Sequence, residues 1–373
     1  MPGSAAADRL IETPPFAHAP AADRLFCAAL REAFAHHIRR CPAFAGVCAA
    51  EGFVPAALRT VRDLPGLPFI FVSAFKERDL RSVPQKNVVL ELTSSGTTGQ
   101  KSRILLDALS LRRVRRIAWQ VFSGLGLADE GVTADYLCFT YDPAAAKNLG
   151  TAWTDRLLTG FTKTGEVYWA FRWDKAAREF RFEPAQAVKV LERFESRGRP
   201  CRIVGFPAFA LRLLEEFSRK HGRDARLHPG TKVITGGGWK TETDEAVPKA
   251  ALRVRIARGF GIPVAHMRDL FDMVEHGVPY VDCRLGNFHI PVYSRVLVRD
   301  PASLAPLPYG RTGLLQFITP YLTSYPSISL LTSDLGRVSE RCRCGLPGPT
   351  LHIAGRAGVQ KPKGCAASAA TML

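Results

Sequence analysis

Val88-Val89-Leu90-Glu91-Leu92-Thr93-Ser94-Ser95-Gly96-Thr97-Thr98-Gly99-Gln100-Lys101-Ser102 joins a β-branched, apolar run to a loop of glycines and hydroxyls that ends on a lysine. The first half reads as a short strand, Val88 to Leu92, and helix-type spacing resumes from about Leu105. The expected local structure is therefore strand, loop, then helix. Phosphate oxygens are held well where successive backbone N–H groups converge, and glycine permits the close approach and positive φ that such a nest needs. Thr93, Ser94, Ser95, Gly96, Thr97, Thr98 and Gly99 supply that composition, with Lys101 beside them for charge. The spacing is not that of a Walker A loop, because no adjacent Gly-Lys follows four intervening residues. An ordinary P-loop NTPase is not expected on that ground.

On either side of this stretch the chain reads as alternating elements. Residues 21 to 60 carry Leu25, Phe26, Leu30, Phe34 and Ile38 at helical spacing and run out near Asp63 to Pro68, which predicts a helical N-terminal region. Beyond the loop, Arg202 to Gly205 and Lys232 to Thr235 are strand-like, while Ala208 to Lys220 and Thr243 to Ala257 are helix-like. That alternation predicts an α/β domain with a largely parallel sheet. From Pro291 to Ile318 the pattern changes to strands, Tyr293 to Val298 and Leu314 to Ile318, separated by Pro306, Pro308, Gly310 and Gly313, which predicts antiparallel pairing. The expected divisions are 1–85, 86–355 and 356–373.

A length of 373 residues fits one large domain with an appendage or two domains. With 46% hydrophobic and 23% charged residues, and no long uninterrupted apolar run, no membrane span is expected. The N-terminus breaks its apolar stretches with Asp8, Arg9 and Glu12, so no signal core is expected and the cytoplasm is the expected location. Nine scattered cysteines predict reduced thiols rather than a disulfide scaffold. A formal charge of +17 is compatible with nucleic acid, an anionic partner or an anionic substrate. Its densest cluster, Arg112, Arg113, Arg115 and Arg116, falls on an amphipathic stretch and is expected to be a solvated helix face, so no nucleic-acid partner is expected. His36 and His37 are expected to be exposed. Tyr168, Trp169, Phe171 and Trp173 read as an aromatic strand that packs in a core or lines an acyl pocket. No Gly-x-Ser-x-Gly elbow supports a hydrolase.

Two further constellations carry chemistry. Cys283 and His289, followed by Cys342 and Cys344, supply three thiols and an imidazole, a donor set suited to tetrahedral zinc, although their spacing is not that of a zinc finger. Cys365, with Lys361 and Lys363 near it to favour the thiolate, is a candidate nucleophile.

The segment Leu92 to Ser102 resembles the phosphate-loop signature of the adenylate-forming, acyl-CoA synthetase-like superfamily. Further stretches resemble its acyl-protein synthetase branch, the LuxE family. They are Ile234 to Lys240, Phe271 to Gly277, Leu315 to Pro320, Thr332 to Gly336, and Gly355 to Gly358 leading to Lys363-Gly364-Cys365. The resemblance implies the large-domain fold of adenylate-forming enzymes, mixed sheets flanked by helices with a small antiparallel β region. It implies ATP and Mg²⁺ as cofactors, Thr93 to Lys101 on the phosphates, and Gly236, Gly237 and Gly238 along the adenine. Glu275 would then help hold Mg²⁺, Asp334 would accept from the ribose hydroxyls, and Arg356 would approach from the hinge side. Asp272 departs from the pattern, where glycine is expected.

The superfamily's C-terminal lysine domain is expected to be missing, since only 17 residues follow Arg356. Nine extended residues reach ~30 Å, enough to carry Cys365 into an adjoining site. The resemblance implies an acyl thioester on that cysteine, a carboxylic acid substrate and an acyl reductase partner. It also relates the Cys/His cluster to structural zinc in phenylacetate-CoA ligase-like proteins. The expected activity is ATP-dependent activation of a carboxylic, fatty acid followed by transfer to Cys365. The alternatives are an acyl-CoA ligase, with CoA as acceptor, and a basic nucleic-acid or acidic-partner binding protein with a degenerate nucleotide site.

Overall fold

The structure is a computed structural model that describes residues 5–93, 103–146, 150–236 and 248–357. Its largest element of order is a seven-stranded sheet that runs Tyr280–Val281, Met267–Phe271, Lys232–Gly236, Cys201–Gly205, Asp129–Tyr141, Thr162–Asp174, Glu179–Phe182 across its width. The five inner strands are parallel to one another, and the two edges pair antiparallel. Parallel neighbours need crossovers, and the helices Pro184–Arg197, Pro207–His221 and Lys249–Gly259 provide them. Proline at the start of the first two and left-handed Gly198 and Gly222 just past their ends set those helix limits.

The strand pleat sends alternate residues to opposite faces. Leu137, Ile203, Val233 and Met267 meet these crossover helices, while Tyr136, Cys138, Val204 and Ile234 join a second core. That second core is built with the helix Ala108–Gly124 and with the N-terminal helices Ala6–Ile11, Pro20–Arg40 and Pro42–Ala50. Pro42 interrupts the long helical reading of residues 21 to 60, because its ring cannot continue the preceding turn.

A second seven-stranded sheet contains Phe288–His289, Thr350–Arg356, Ser329–Ser339, Gly313–Ile318, Arg295–Arg299 and Pro306–Leu307 in antiparallel order. The short strand Ile70–Phe71 adds to it in parallel beside Leu330 and Leu331. Arg295–Arg299 and Gly313–Ile318 confirm the antiparallel reading of the proline- and glycine-punctuated segment.

Three local expectations are corrected. The glycine-rich loop does not lead into a helix: Arg103–Asp107 is a strand that pairs back on Val88–Thr93, and Asp107 caps the following helix by accepting from the Ser110 N–H at 2.9 Å. Helical spacing from Leu105 was in phase with the helix Ala108–Gly124, and the branched run Ile104 to Leu106 went to the hairpin instead. The arginine cluster is not uniformly solvated. Arg113 is 5% exposed, its Nε donating to Asp8 at 2.7 Å and its Nη1 to the Tyr321 carbonyl at 3.2 Å. His37 is fully buried, between the Ser82 hydroxyl at 2.7 Å and the Leu322 carbonyl at 2.9 Å, and burial holds its imidazole neutral with a pKa lowered to about 3. The helix Thr243 to Ala257 is found as Lys249–Gly259, and 237–247 lie outside the described residues.

Candidate active site and metal centre

The hairpin Val88–Thr93/Arg103–Asp107 stands outside both large sheets and pairs up to Thr93 opposite Arg103. Glu91 and Arg103 brace its open end through a hydrogen bond of 3.0 Å. Thr93 and Arg103 are the described residues that flank Ser94 to Ser102 in the sequence. Ser94, Ser95, Gly96, Thr97, Thr98, Gly99 and Lys101 lie outside the described residues, as do Gly237, Gly238 and Cys365.

Under the hairpin lies an apolar cleft of about 620 Å³, solvent at its mouth included. Leu92 and Leu106 come from the hairpin, Val114 and Phe122 from the helix Ala108–Gly124, and Trp153 and Leu157 from the helix Gly150–Leu158. The enclosed room is much smaller, about 60 Å³. Thr154 and Asp272 bring polar atoms to this lining, with the Thr154 hydroxyl donating to the Asp272 carboxylate at 3.3 Å.

Carboxylates collect behind that polar spot. Glu275 is 6% exposed, in the turn after the strand Met267–Phe271. The Ser327 hydroxyl donates to its backbone carbonyl. Although Asp272 is an exposed residue, desolvation of its carboxyl where it meets Thr154 raises it to about 6, the Thr154 hydrogen bond opposing the effect and the Glu275 charge adding to it. Burial likewise pushes Asp155, the neighbour of Thr154, to about 7. Carboxylates suit a hard divalent cation such as Mg²⁺, but no three of them converge to ligand distance among the described residues. Gly236 ends the strand Lys232–Gly236 beside Leu270, where an added Cβ would come within 3.3 Å of the Leu270 carbonyl.

Asp334 and Arg356, 22 residues apart in sequence, are register partners on adjacent strands, and the Arg356 Nε donates to the Asp334 carboxylate at 2.8 Å. Asp334 is 7% exposed, whereas half of the Arg356 side chain is open to solvent. One carboxylate oxygen is occupied by this contact, and a carboxylate retains lone pairs for further donors.

The four sulfur and nitrogen ligands of Cys283, His289, Cys342 and Cys344 converge within 4.8 Å of one another. A tight turn, Cys283 to Asn287, with left-handed Gly286, brings Cys283 to His289. The pairing of Phe288–His289 with Thr350–Arg356 then closes the long gap to Cys342 and Cys344. Cys283 Sγ lies 3.9 Å from Cys342 Sγ, and Cys344 Sγ lies 3.1 Å from His289 Nε2. Burial pushes the Cys283 thiol up, yet hydrogen bonds from His289 and from backbone N–H groups bring it down to about 6, while burial pushes Cys344 up to about 12. The Asn287 amide donates to Cys342 Sγ at 3.3 Å and the Leu346 N–H to Cys344 Sγ at 3.4 Å, contacts of the kind that orient thiolate ligands. Three sulfurs and one imidazole fit a closed tetrahedral zinc site.

The sequence missed the cleft. Its aromatic candidates went elsewhere: Phe171 is fully buried in the crossover-helix core, Tyr168 packs partly against that core, and Trp173 is 45% exposed. The available signal was the helix Gly150–Leu158, whose Trp153 and Leu157 are one turn apart. Among the described residues no helix is long and apolar enough to cross a membrane.

The chain is similar to a long-chain-fatty-acid–luciferin-component ligase of Aliivibrio fischeri, with 27% identity over 348 residues that cover 92% of this chain and 87% of that one. A protein of the same name from Vibrio harveyi is 28% identical over 311 residues, covering 83% and 78%. Among solved structures, 2-hydroxyisobutyryl-CoA ligase in an open conformation, in complex with 2-HIB-AMP and CoA, superposes with a TM-score of 0.70 over 92% of this chain and 76% of that one. At 17% identity that likeness establishes the fold, that of adenylate-forming ligases. The model of the acyl-protein synthetase family LuxE matches residues 2–373, and the chain belongs to that family of enzymes.

Proposed function

We propose that this enzyme activates a long-chain carboxylic acid with ATP and transfers the acyl group to its own Cys365. The observation that carries the reading is the apolar cleft walled by Leu92 and Leu106, because the two strands of the hairpin that lines it flank, in sequence, the segment with the phosphate-loop motif. An acyl chain in the cleft presents its carboxylate toward that loop. A carboxylate oxygen attacks the α-phosphorus of ATP, a new anhydride O–P bond forms, and the bond to the bridging oxygen breaks with departure of pyrophosphate. Backbone amides and hydroxyls of Thr93 to Gly99, with Lys101, stabilise charge that develops on the phosphates. Glu275 and the neighbouring Asp272 would hold Mg²⁺, which supplies further positive charge at the phosphates when bound. Asp334 accepts from the ribose hydroxyls, Arg356 steadies Asp334 and the nucleotide, and Gly236 to Gly238 line the adenine.

In the second step the Cys365 thiolate attacks the acyl carbonyl, the S–C bond forms, and AMP leaves with the electron pair of the broken anhydride bond. An acyl reductase is the proposed recipient of the thioester, in the cytoplasm. The Cys283, His289, Cys342 and Cys344 cluster holds structural zinc, pinning the second sheet to the turn that follows the first. The chain is divided accordingly into a helical region 1–85, an adenylate-forming core 86–355 and a tail 356–373.

The function is tested by incubating the Mg²⁺-replete enzyme with ATP, radioactive pyrophosphate and acids of increasing length. Label should enter ATP only when a long-chain acid is present; its absence with every acid defeats adenylation. Labelled acid should remain on the wild type as a hydroxylamine-sensitive thioester and be missing from Cys365→Ala. Equal labelling of that variant removes the tail mechanism, and AMP production that depends on CoA assigns the acceptor role to CoA instead.

A further inference from the structure

At the opposite end of the parallel strands from Gly236, four basic side chains gather, and three of them carry a buried nitrogen without a hydrogen-bond partner. Arg202 on Cys201–Gly205 is the register partner of Lys232 on Lys232–Gly236. Arg268 lies on the next strand beside Ile234, two residues along from Lys232 and on the same face, and His266 occupies the turn that opens Arg268's strand. Arg202 and Arg268 are 4% and 8% exposed. Each spends Nη1 on backbone carbonyls: Arg202 on Cys201 at 3.0 Å and Gly230 at 3.2 Å, Arg268 on Ala265 and on Met267 at 3.2 Å. The Nε of both arginines and the Nδ1 of His266 are buried with no hydrogen-bond partner. They make up three of the seven such atoms among the described residues, gathered at one corner of the sheet.

Nothing among the described residues neutralises this cluster. Asp129 attracts Arg202 and Asp282 attracts Arg268, but neither forms an ion pair with them. Asp282 is already held by Arg253 at 2.8 Å and Lys249 at 3.1 Å. Burial and the charges of Arg202 and Arg268 lower the Lys232 pKa; burial and the Lys232 charge lower that of His266, while backbone hydrogen bonds at Thr231 and Pro229 raise it, so the basic groups repel one another. Buried donors without acceptors are costly, and native structures satisfy nearly all of them.

We propose that Arg202, Lys232, His266 and Arg268 form a binding site for a phosphate-sized oxyanion, separate from the nucleotide loop. A tetrahedral anion offers acceptors in several directions and no donor, which matches guanidinium, ammonium and imidazole groups that approach from three strands. A planar carboxylate offers two oxygens and leaves part of the set unmet. The site opens through the half-buried Lys232 and His266. Its separation from Gly236 along the strand is ~13 Å at ~3.3 Å per residue, so the two sites can be filled independently.

The test uses the full chain, with inorganic phosphate and phenyl phosphate as probes in chloride buffer of fixed ionic strength, binding being read by calorimetry and by the thermal midpoint. Inorganic phosphate should bind the wild type, and Lys101→Ala, which alters the nucleotide loop, should bind it equally well. Lys232→Met and His266→Gln should each weaken binding about tenfold, the scale of one charge-assisted hydrogen bond. Both positions are partly exposed, so the variants keep the folded midpoint measured without phosphate. Phenyl phosphate binding as tightly as phosphate assigns the site to the phosphoryl end of a larger molecule, and its exclusion assigns it to the free anion. No phosphate binding to the wild type overturns the proposal. So does binding that survives both variants, or that disappears in Lys101→Ala.

Discussion

Asp155 should make this protein less stable as pH rises, and a single oxygen-to-nitrogen exchange should remove much of that loss. Its carboxyl is 9% exposed and raised by burial from 3.8 to about 7. The folded chain therefore holds this proton more tightly than the unfolded chain does, and stability declines from about pH 4 until the group is ionised above about pH 7. At ~1.36 kcal/mol per pH unit, the full penalty approaches ~4 kcal/mol. Roughly 2.5 kcal/mol of it falls between pH 5 and pH 8, because the unfolded group is already ionised at pH 5 while the folded one is not. Asp272, raised to about 6, adds loss in the same direction over the lower part of that range. Urea unfolding of wild type and Asp155→Asn at pH 5 and pH 8 measures the difference. The variant should lose about 2 kcal/mol less than wild type between the two pH values, and should be the more stable protein at pH 8. Identical pH dependence in the two proteins would refute the assignment of a buried, protonated carboxyl at this position.

Leu157→Trp, which fills part of the cleft, should raise KM for an acid of ~14 carbons while a short acid is handled normally. Loss of room for three methylenes costs ~2.4 kcal/mol, roughly fiftyfold, and an unchanged chain-length profile would place the acyl group elsewhere. Asp334→Asn keeps the shape of the side chain but removes its charge, so KM for ATP should rise about tenfold with little change in the acid's KM; equal KM values rule out a ribose contact. Metal analysis of carefully purified protein should give one zinc per chain and a large loss of Cys283→Ser from the soluble fraction, whereas less than a tenth of an equivalent of zinc would eliminate the metal centre.

How far the sequence could be read depended on whether the deciding contacts were local. The parallel strands were legible because strand-like and helix-like stretches alternate, as from Arg202 to Ala257, and that periodicity is local. The hairpin was misread because Leu105 fits a helical period as well as it fits a strand, and its pairing with Glu91 is invisible in one dimension. His37 was misplaced for a similar reason: its partners lie 45 and 285 residues away, and only tertiary packing reveals that a histidine on a polar-looking face is enclosed. Residue type alone pointed to the Cys/His cluster, since few other roles call for three thiols and an imidazole, although strand pairing was needed to bring His289 near Cys344. The Asp334–Arg356 contact is a matter of register, which the motifs on each strand did not disclose.

The first helix is tied to distant parts of the chain, and this sets an order of events at the ribosome. The Tyr293 hydroxyl donates to the Ile11 carbonyl at 3.2 Å, across 282 residues, and the Val292 N–H donates to the Pro15 carbonyl at 2.7 Å. With synthesis at ~5–20 residues per second, the leading segment emerges about 15–60 s before its dock exists. During that interval Leu10, Ile11 and Phe16, all buried in the finished protein, can meet the helix Pro20–Arg40 and then Ala108–Gly124, but not the segment around Tyr293. The docking of this apolar segment onto Val292 and Tyr293 is thus late, and slowing translation should delay it further.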